Sequence, residues 1–404
     1  MDAKLNINCI KAIYNEMSAN DQVTFLSAFD RMPFHKKWIC EESYENINLR
    51  GLKNATIEDA MMFFEMVAPF AINFSCSNIL NVPFKDLFKS MKLKQYFANV
   101  ITLELVQCNI TDKCVKYFRH LQNLQSLSLA KNHLITGKYI ALCNNLFDLD
   151  MEGCRNLSAF YFTQICRNLK HLRKLNVRWC RSLEYINFSE MTFLCEKLKD
   201  LKIMQPHVHY EIIAYIPKLI SLTVYDHYNV KDELFENLNN TSYLQELRIQ
   251  QPTTLILNGA RKRYFNYRRL MKLTIDCDIT DTLLNFIMKL KRLQYLKLKN
   301  IRSVTNSRLH QLISSSEAVS VFGMSNTSQL LNSYRRDFLT ALLVPKREEP
   351  EKILIKLYGT RVAKEITHSW LYTEFSRDVA SIHYQCDICN QLDDKDWHIC
   401  YCKN

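Results

Sequence analysis

The residues of this sequence best suited to chemistry are cysteines and histidines near its C-terminal end. Those with ligand chemistry are Cys386, Cys389, Cys400, Cys402, His383 and His398. Thiolate sulfur and imidazole nitrogen are the usual ligands of tetrahedral zinc. One pair is C-x-x-C, the other is C-x-C and ten residues separate them, which is not the spacing of a common zinc finger. We therefore expect a reduced tail without metal, and a single zinc ion is the alternative.

A second chemical candidate is the run RKRYFNYRR at residues 261–269. Cationic and aromatic side chains in alternation can contact phosphates and stack on bases, so RNA contact is one interpretation and a nuclear import signal is another. The run directly precedes the apolar residue Leu270, and its aromatics can instead pack in a return segment while its cations face water. We favour this structural interpretation, because a net charge of +12 over 404 residues is a modest excess. We predict no nucleic-acid partner.

Sequence patterns typical of enzymes are missing. The chain has only 6 glycines and contains neither GxGxxG nor GxxxxGK[ST], the loops in which glycine lets the backbone approach a phosphate. No local motif pairs a nucleophile with a base. The 15 cysteines follow no recognisable secretory signal, which favours reduced thiols and a location in the cytoplasm, the nucleus or both. We predict a non-catalytic protein with no cofactor and no membrane span.

An internal repeat supplies the elements that must position these residues. Three aliphatic anchors spaced L-x-x-L-x-L recur at intervals of 21 to 26 residues, and fainter copies extend the array over residues 42–360. The first anchors are Val100, Leu124, Leu146, Leu172, Leu198, Leu219, Leu244, Leu270 and Leu293. The alternating anchors predict short strands, and apolar residues at helical spacing in 111–121, 160–169 and 280–290 predict helices on the return path. The sequence therefore predicts an α/β solenoid with parallel strands on its concave face and helices on its convex face.

The turn after each predicted strand contains a recurring small side chain. Three residues after the third anchor stand Cys108, Asn132, Cys154 and Cys180. Asparagine can hydrogen-bond a buried turn, and cysteine is small and weakly polar. The array resembles the cysteine-containing leucine-rich repeats of F-box proteins. Later repeats depart from it with Pro206, His227 and Pro252, so we expect irregular turns there.

Residues 1–41 are predicted to form a helical unit ahead of the solenoid, and residues 361–404 a C-terminal helical cap and cysteine-containing tail. The N-terminal segment resembles an F-box, and the matching positions are Leu5, Ile10, Ile13, Tyr14, Met17, Asp21, Gln22 and Trp38. It departs from the F-box pattern at Asn6, where proline is usual, and at Asp30-Arg31. A plain helical cap over the first repeat is the alternative.

The resemblance implies a partner for this unit. Positions from Leu5 to Gln22 would contact a Skp-type adaptor and, through it, a cullin-RING ubiquitin ligase. The chain would then recruit protein substrates for ubiquitination and proteasomal degradation, while other subunits perform the chemistry. The competing hypothesis is a leucine-rich-repeat interaction scaffold that binds no adaptor.

Substrate recognition is predicted on the concave face, because the residues between the anchors project there. The residues expected to contact a partner are Asp148, Asp150, Glu152, Lys174, Arg178, Lys202, Tyr225, Arg248, Lys272, Tyr295 and Lys297. The earlier strands are acidic or neutral and the later ones net basic, a pattern that would orient a partner of opposite charge distribution. The alternative is that these are solvated strand residues with no partner.

The tail cysteines give the first prediction. We expect the purified chain to contain no stoichiometric zinc, because neither cysteine spacing builds a familiar tetrahedral site. Elemental analysis checks this. One zinc per chain that disappears when Cys386 and Cys389 are replaced by serine would contradict it.

Overall fold

The computed structural model describes part of the chain. The described residues are 46–48, 68–78, 84–90, 97–204, 213, 215–225, 243–250, 269–276, 281–299, 321–325, 353–358 and 380–385, together with residues 17, 21, 308, 311 and 312. The chain divides into two compact units, Met1–Val208 and His209–Asn404.

The described part of the first unit contains seven short strands. They are β1 (Asn46–Asn48), β2 (Asn73–Ser77), β3 (Thr102–Val106), β4 (Ser126–Ser128), β5 (Asp148–Asp150), β6 (Lys174–Asn176) and β7 (Asp200–Ile203). Each strand pairs in parallel with the next strand of the chain. Parallel pairing in chain order needs a return segment in every repeat, which is the topology of a leucine-rich-repeat solenoid.

Helices occupy most of the described return segments of this unit. They are α1 (Phe84–Ser90), α2 (Asp112–Phe118), α3 (Ala159–Asn168) and α4 (Tyr185–Leu194). The helices predicted within residues 111–121 and 160–169 are thus confirmed. Short 3-10 turns lie at Ala68–Phe70 and Ile140–Leu142.

The second unit repeats the arrangement. Its described strands are β8 (Ser221–Tyr225), β9 (Glu246–Gln250), β10 (Lys272–Asp276), β11 (Tyr295–Lys299), β12 (Val321–Ser325), β13 (Ile353–Tyr358) and β14 (Ala380–Gln385), each parallel to its neighbour. Helix α5 (Asp281–Ile287) confirms the helix predicted within residues 280–290. Strand β14 lies within residues 361–404, which the sequence analysis assigns to a helical cap and tail. The strand series therefore continues past the expected boundary at residue 360.

The anchors form the core of each unit, as the repeat predicts. All nine first anchors are buried, from Val100 to Leu293. A layer of phenylalanines supplements them: the ring of Phe88 lies 5.4 Å from that of Phe118 and 6.5 Å from that of Phe97, both edge-on. Burying each such side chain stabilises the fold by about 1.5–3 kcal/mol, so the core accounts for the regular spacing of apolar residues.

Asn132 links two consecutive repeats at the turn after β4. Its Oδ1 accepts hydrogen bonds from the backbone N–H groups of Cys108 and Ile110 at 2.9 and 3.0 Å. Its Nδ2 donates to the carbonyl of Leu105, the third anchor of the preceding repeat, at 2.6 Å. The side chain thus satisfies buried backbone groups that would otherwise be left without partners.

Cysteines at the equivalent position reproduce the donor part of this pattern. Each thiol points to the third-anchor carbonyl of the preceding repeat: Cys108 to Cys76 at 3.5 Å, Cys154 to Leu129 at 3.2 Å and Cys180 to Met151 at 3.1 Å. A thiol is a weak donor and a small side chain, so the position is filled with little strain. The interpretation of these cysteines as core residues is confirmed. The later turns with Pro206, His227 and Pro252 lie outside the described residues.

A left-handed residue precedes each of these turns. Asn78, Gln107, Lys131, Gly153 and Trp179 have φ values between 55° and 71°. In this conformation the N–H groups of Gln107, Lys131 and Gly153 donate to carbonyls of the following repeat at 2.9, 2.6 and 2.7 Å. Only one of the five is glycine, and the inter-repeat hydrogen bond offsets a backbone cost of about 1 kcal/mol at Asn78, Gln107 and Lys131.

No helix in the described ranges is both long and apolar enough to cross a lipid bilayer.

Two glycines give a test of this geometry. Gly137 has a φ of +94°, and an added Cβ would lie 2.8 Å from Leu157 Cδ1 and 3.3 Å from Tyr161 Cβ. Gly137→Ala should therefore lower the free energy of unfolding by about 2–4 kcal/mol, through strain and overpacking together. Chemical denaturation measures the change.

Gly153→Ala is the matched control. Its φ is +71°, but the nearest atom to an added Cβ is Lys131 Cγ at 3.5 Å, an ordinary contact. The cost should be about 1 kcal/mol, from the backbone alone. Equal losses for the two variants would contradict the packing described around Gly137.

Candidate functional site

The side chains between the anchors form ordered rows across the first unit. Because the strands pair in register, equivalent residues stand side by side about 4.8 Å apart. The middle row contains Ser75, Glu104, Ser128, Asp150, Asn176 and Lys202. We call the rows presented by β2–β7, with the residues that directly follow each strand, the strand face. It is a polar surface whose spacing the backbone fixes.

Serines hold the carboxylates of the middle row in place. Ser75 Oγ donates to Glu104 Oε2 at 3.0 Å, and Ser128 Oγ donates to Asp150 Oδ2 at 3.2 Å. The backbone N–H of Glu152 donates to the other oxygen of Asp150, Oδ1, at 2.9 Å. Both carboxylates therefore point in defined directions before any partner arrives.

Asp150 is the most perturbed acid of the strand face. Burial raises the pKa of its carboxyl above the ordinary value of 3.8, and the negative charge of Glu152 raises it further. Hydrogen bonds from Glu152 N–H and Ser128, and the positive charge of Lys202, act in the opposite direction. Ionising the Asp150 carboxyl therefore costs more free energy here than in water, and a cation of a partner would reduce that cost.

An ion pair joins the repeats that contain β5 and β6. Arg178 Nη2 lies 2.5 Å from Glu152 Oε2, and each of the two side chains is 21% exposed. Asn176 Nδ2 also donates to Glu152 Oε2, at 3.2 Å, while Asn176 Oδ1 accepts from the backbone N–H of Arg178. Arg178 Nε is buried and has no hydrogen-bond partner among the described residues. This charge pair is thus fixed by both side chain and backbone.

A second ion pair on the same strands is much more open. Lys174 Nζ lies 3.6 Å from Asp148 Oδ2, and the side chains are 61% and 36% exposed. An exposed pair of this kind adds about 0–1 kcal/mol of stability, so its groups remain available to a partner. The change from acidic to basic side chains occurs between β5 and β6.

The structure distributes the predicted contact residues over the two units. Asp148, Asp150, Glu152, Lys174, Arg178 and Lys202 come together on the strand face of the first unit. Tyr225, Arg248, Lys272, Tyr295 and Lys297 lie on β8–β11 of the second unit. There Arg248 and Lys297 both stand beside Thr274, and Tyr295 stands beside Lys272. Lys297 is buried, unlike the exposed Lys272, so it is poorly placed to contact a partner.

Three further residues of the strand face accompany the predicted contacts. Glu104 and Ser128 extend the middle row towards the start of the chain, and Asn176 bridges Glu152 to the turn. In the sequence they can be recognised because, like Asp150, they stand four residues after the first anchor of their repeat. Residue type alone did not separate them from ordinary polar strand residues.

The remaining sequence predictions fall mainly outside the described residues. Of the proposed adaptor contacts, Met17 is half-buried and Asp21 exposed. Leu5, Ile10, Ile13, Tyr14 and Gln22 lie outside the described residues, as do Cys386, Cys389, Cys400, Cys402, His398 and residues 261–268. Across the part of the chain that is described, no group of three or more His, Cys, Asp or Glu residues is placed to hold a metal ion.

The buried thiols of the repeats are poor nucleophiles. Burial raises the pKa of Cys143 and of Cys154 to about 12, and it also raises the pKa of Cys180. At neutral pH these thiols stay protonated, whereas a reactive cysteine needs a thiolate. Their chemistry is that of core packing.

Comparison with known proteins shows no matching family model and no matching curated protein. Among solved structures, an internalin from Listeria monocytogenes is 16% identical, with 95% of this chain and 94% of that chain covered and a TM-score of 0.39. Rad7 in its complex with Elc1 from yeast is 13% identical, with coverage of 80% and 87% and a TM-score of 0.44. The leucine-rich repeat-containing protein LegL7 from Legionella pneumophila is 14% identical, with coverage of 67% and 88% and a TM-score of 0.39. We draw no functional inference from similarities at this level.

The buried carboxyl gives a prediction about pH. Because its pKa is raised on folding, Asp150 contributes stability that is present below pH 3.8 and lost as the pH rises through the raised pKa. Asp150→Asn should remove this loss. The unfolding midpoint of the variant, relative to that of the parent, should rise as the pH increases above 3.8.

Thermal unfolding at several pH values measures this difference. The variant keeps one acceptor oxygen and loses one hydrogen bond, so the pH slope and not the absolute midpoint is the readout. Asp148→Asn, at the half-exposed position two residues earlier on β5, is the control for loss of one negative charge. The same slope in both variants would show that Asp150 has no special environment.

Proposed function

We propose that this chain binds a protein substrate through the strand face of its first unit and recruits it to a Skp-cullin-F-box type ubiquitin ligase through residues 1–41. The observation that carries the binding role is the in-register strand face with its fixed pair Glu152–Arg178. The F-box-like pattern from Leu5 to Trp38 is what supports the ligase connection. In this proposal the chain contributes recognition, and other subunits transfer ubiquitin.

The physical properties of the strand face suit protein recognition. Its polar groups are held by hydrogen bonds between neighbouring repeats, so a partner does not need to order them on binding. Acidic groups on β3–β5 lie next to basic groups on β6 and β7, a pattern that selects the orientation of a partner. The described thiols with raised pKa supply no nucleophile, which fits a role in binding.

The second candidate is an interaction scaffold without adaptor contact. It uses the same strand face and differs only in the role of residues 1–41, which would then cover the core of the first repeat. Solenoids need such caps because a terminal repeat has no neighbour on one side. The two candidates predict different results when the N-terminal helix is altered.

Ile13→Asp separates these candidates. Ile13 shares a predicted helical face with Ile10 and Met17, so a charge there should abolish capture of a purified Skp-type adaptor. If the unit serves as an F-box, hydrogen exchange of residues 97–130 should stay unchanged, because solenoid stability is carried by neighbouring repeats. Adaptor pull-down and hydrogen exchange on the full chain measure the two effects.

Asn15→Asp is the matched control. It adds the same charge two positions further on, about 200° around the predicted helix from Ile13, and should leave adaptor capture intact. Failure of the parent chain to capture the adaptor, together with faster exchange in residues 97–130 of Ile13→Asp, would favour the cap and overturn the ligase connection.

A further inference from the structure

We propose that a cationic edge of the first unit, distinct from the strand face, binds an acidic segment of a partner protein. The cationic edge consists of Lys170, His171, Arg173, Lys197 and Lys199, which directly precede β6 and β7. All five residues are exposed. The inference does not depend on adaptor binding or on the partner of the strand face.

One stretch that spans parts of two repeats is strongly basic. Residues 153–183 contain seven lysines and arginines and no aspartate or glutamate. Two of the seven, Lys174 and Arg178, are neutralised by the carboxylates of β5 and its turn. The positive charge that remains is therefore concentrated in this stretch, whereas the positive charge of the whole chain is a modest excess.

The repeat geometry brings this excess to one place. His171 and Lys197 precede the first anchors of consecutive repeats, and Arg173 and Lys199 follow the same anchors. The backbone N–H of Lys199 donates to the carbonyl of Arg173 at 2.8 Å, which fixes the two residues side by side. Neighbouring repeats are about 4.8 Å apart, and residues two apart along a strand are about 6.6 Å apart. The backbone positions of these cationic residues are therefore only about 5 to 7 Å apart.

Direct ion pairs between described residues do not neutralise the lysines and the arginine of this edge. No carboxylate of a described residue forms an ion pair with Lys170, Arg173, Lys197 or Lys199. Instead Lys197 Nζ lies 3.3 Å from His171 Nδ1. Glu196 and Asp200 are the acidic residues of the same stretch.

Arg173 is preorganised by an aromatic ring. Its guanidinium carbon lies 5.1 Å from the ring centroid of Phe147, and the ring of His171 meets the same ring edge-on at 6.1 Å. A guanidinium held in this way presents its donor fork to a carboxylate with little loss of side-chain freedom. An extended acidic segment carries alternate carboxylates about 6.6 Å apart, a spacing that matches the edge along the strand direction.

The same contacts favour a protein over a nucleic acid. Binding of single-stranded nucleic acid relies on aromatic faces that are open for base stacking. Among the described residues of this edge, the aromatic rings are Phe147 and His171, and Phe147 is covered by Arg173 and His171. What remains exposed is charge with hydrogen-bond donors, which suits carboxylates.

The test compares two double variants with the same net charge. Lys197→Gln/Lys199→Gln removes two charges from the cationic edge, and Arg155→Gln/Arg181→Gln removes two exposed charges that follow the strands at their other end. The probes are a labelled ten-residue peptide of alternating Glu and Ser, the Lys-Ser counterpart, and a ten-nucleotide single-stranded RNA. Binding to the full chain is measured by fluorescence anisotropy at about 50 and about 150 mM salt.

The acidic peptide should bind the parent chain, more weakly at the higher salt, and the Lys-Ser peptide should not. Lys197→Gln/Lys199→Gln should weaken binding of the acidic peptide roughly five- to thirtyfold, and Arg155→Gln/Arg181→Gln less than about twofold. Equal losses in both variants would reduce the effect to net charge and overturn the proposal. It would also be overturned by absence of peptide binding at the lower salt, or by RNA binding that is tighter and equally dependent on Lys197 and Lys199.

Discussion

The structure depends on backbone hydrogen bonds that each repeat must make to the next. A parallel strand has no hairpin partner, so its N–H and C=O groups can be satisfied only by equivalent strands on either side. The turn at the end of each strand meets the same demand. Asn132 satisfies it with five hydrogen bonds, cysteines with one weak donor, and left-handed residues such as Gln107 and Lys131 with an N–H directed to the following repeat.

This coupling determines what the exposed side chains can do. Register places Glu104, Asp150 and Lys202 in one row whatever their chemistry, so the sequence can vary their charges without changing their spacing. The strand face and the cationic edge both arise because strand register fixes the spacing of equivalent side chains. The first follows from residues between anchors, and the second from residues directly beside the first anchor.

Sequence reasoning recovered the features that repeat. Anchors such as Leu172 and Leu198 identified the strands, and the apolar spacing of residues 160–169 identified α3, because burial repeats with the geometry of each element. It could not assign the left-handed conformation of Gln107 or Lys131, since neither residue type favours it and only the inter-repeat hydrogen bond requires it. Contacts between repeats, including Glu152 with Arg178, depend on register and so appear only in three dimensions. Strand β14 was missed because its copy of the anchor spacing is weak, with Tyr384 in place of the third aliphatic anchor. The adaptor-binding role of residues 1–41 stays a prediction.

The buried thiols make local separation of the repeats measurable, because each thiol reacts only after the repeats around it have separated. Cys108, Cys154 and Cys180 lie in three different repeats. Each thiol is enclosed between its own turn and the carbonyl of the preceding repeat. A thiol with no access to solvent cannot be alkylated until those two repeats separate. The order in which such cysteines become labelled would therefore trace where along the array the repeats come apart first.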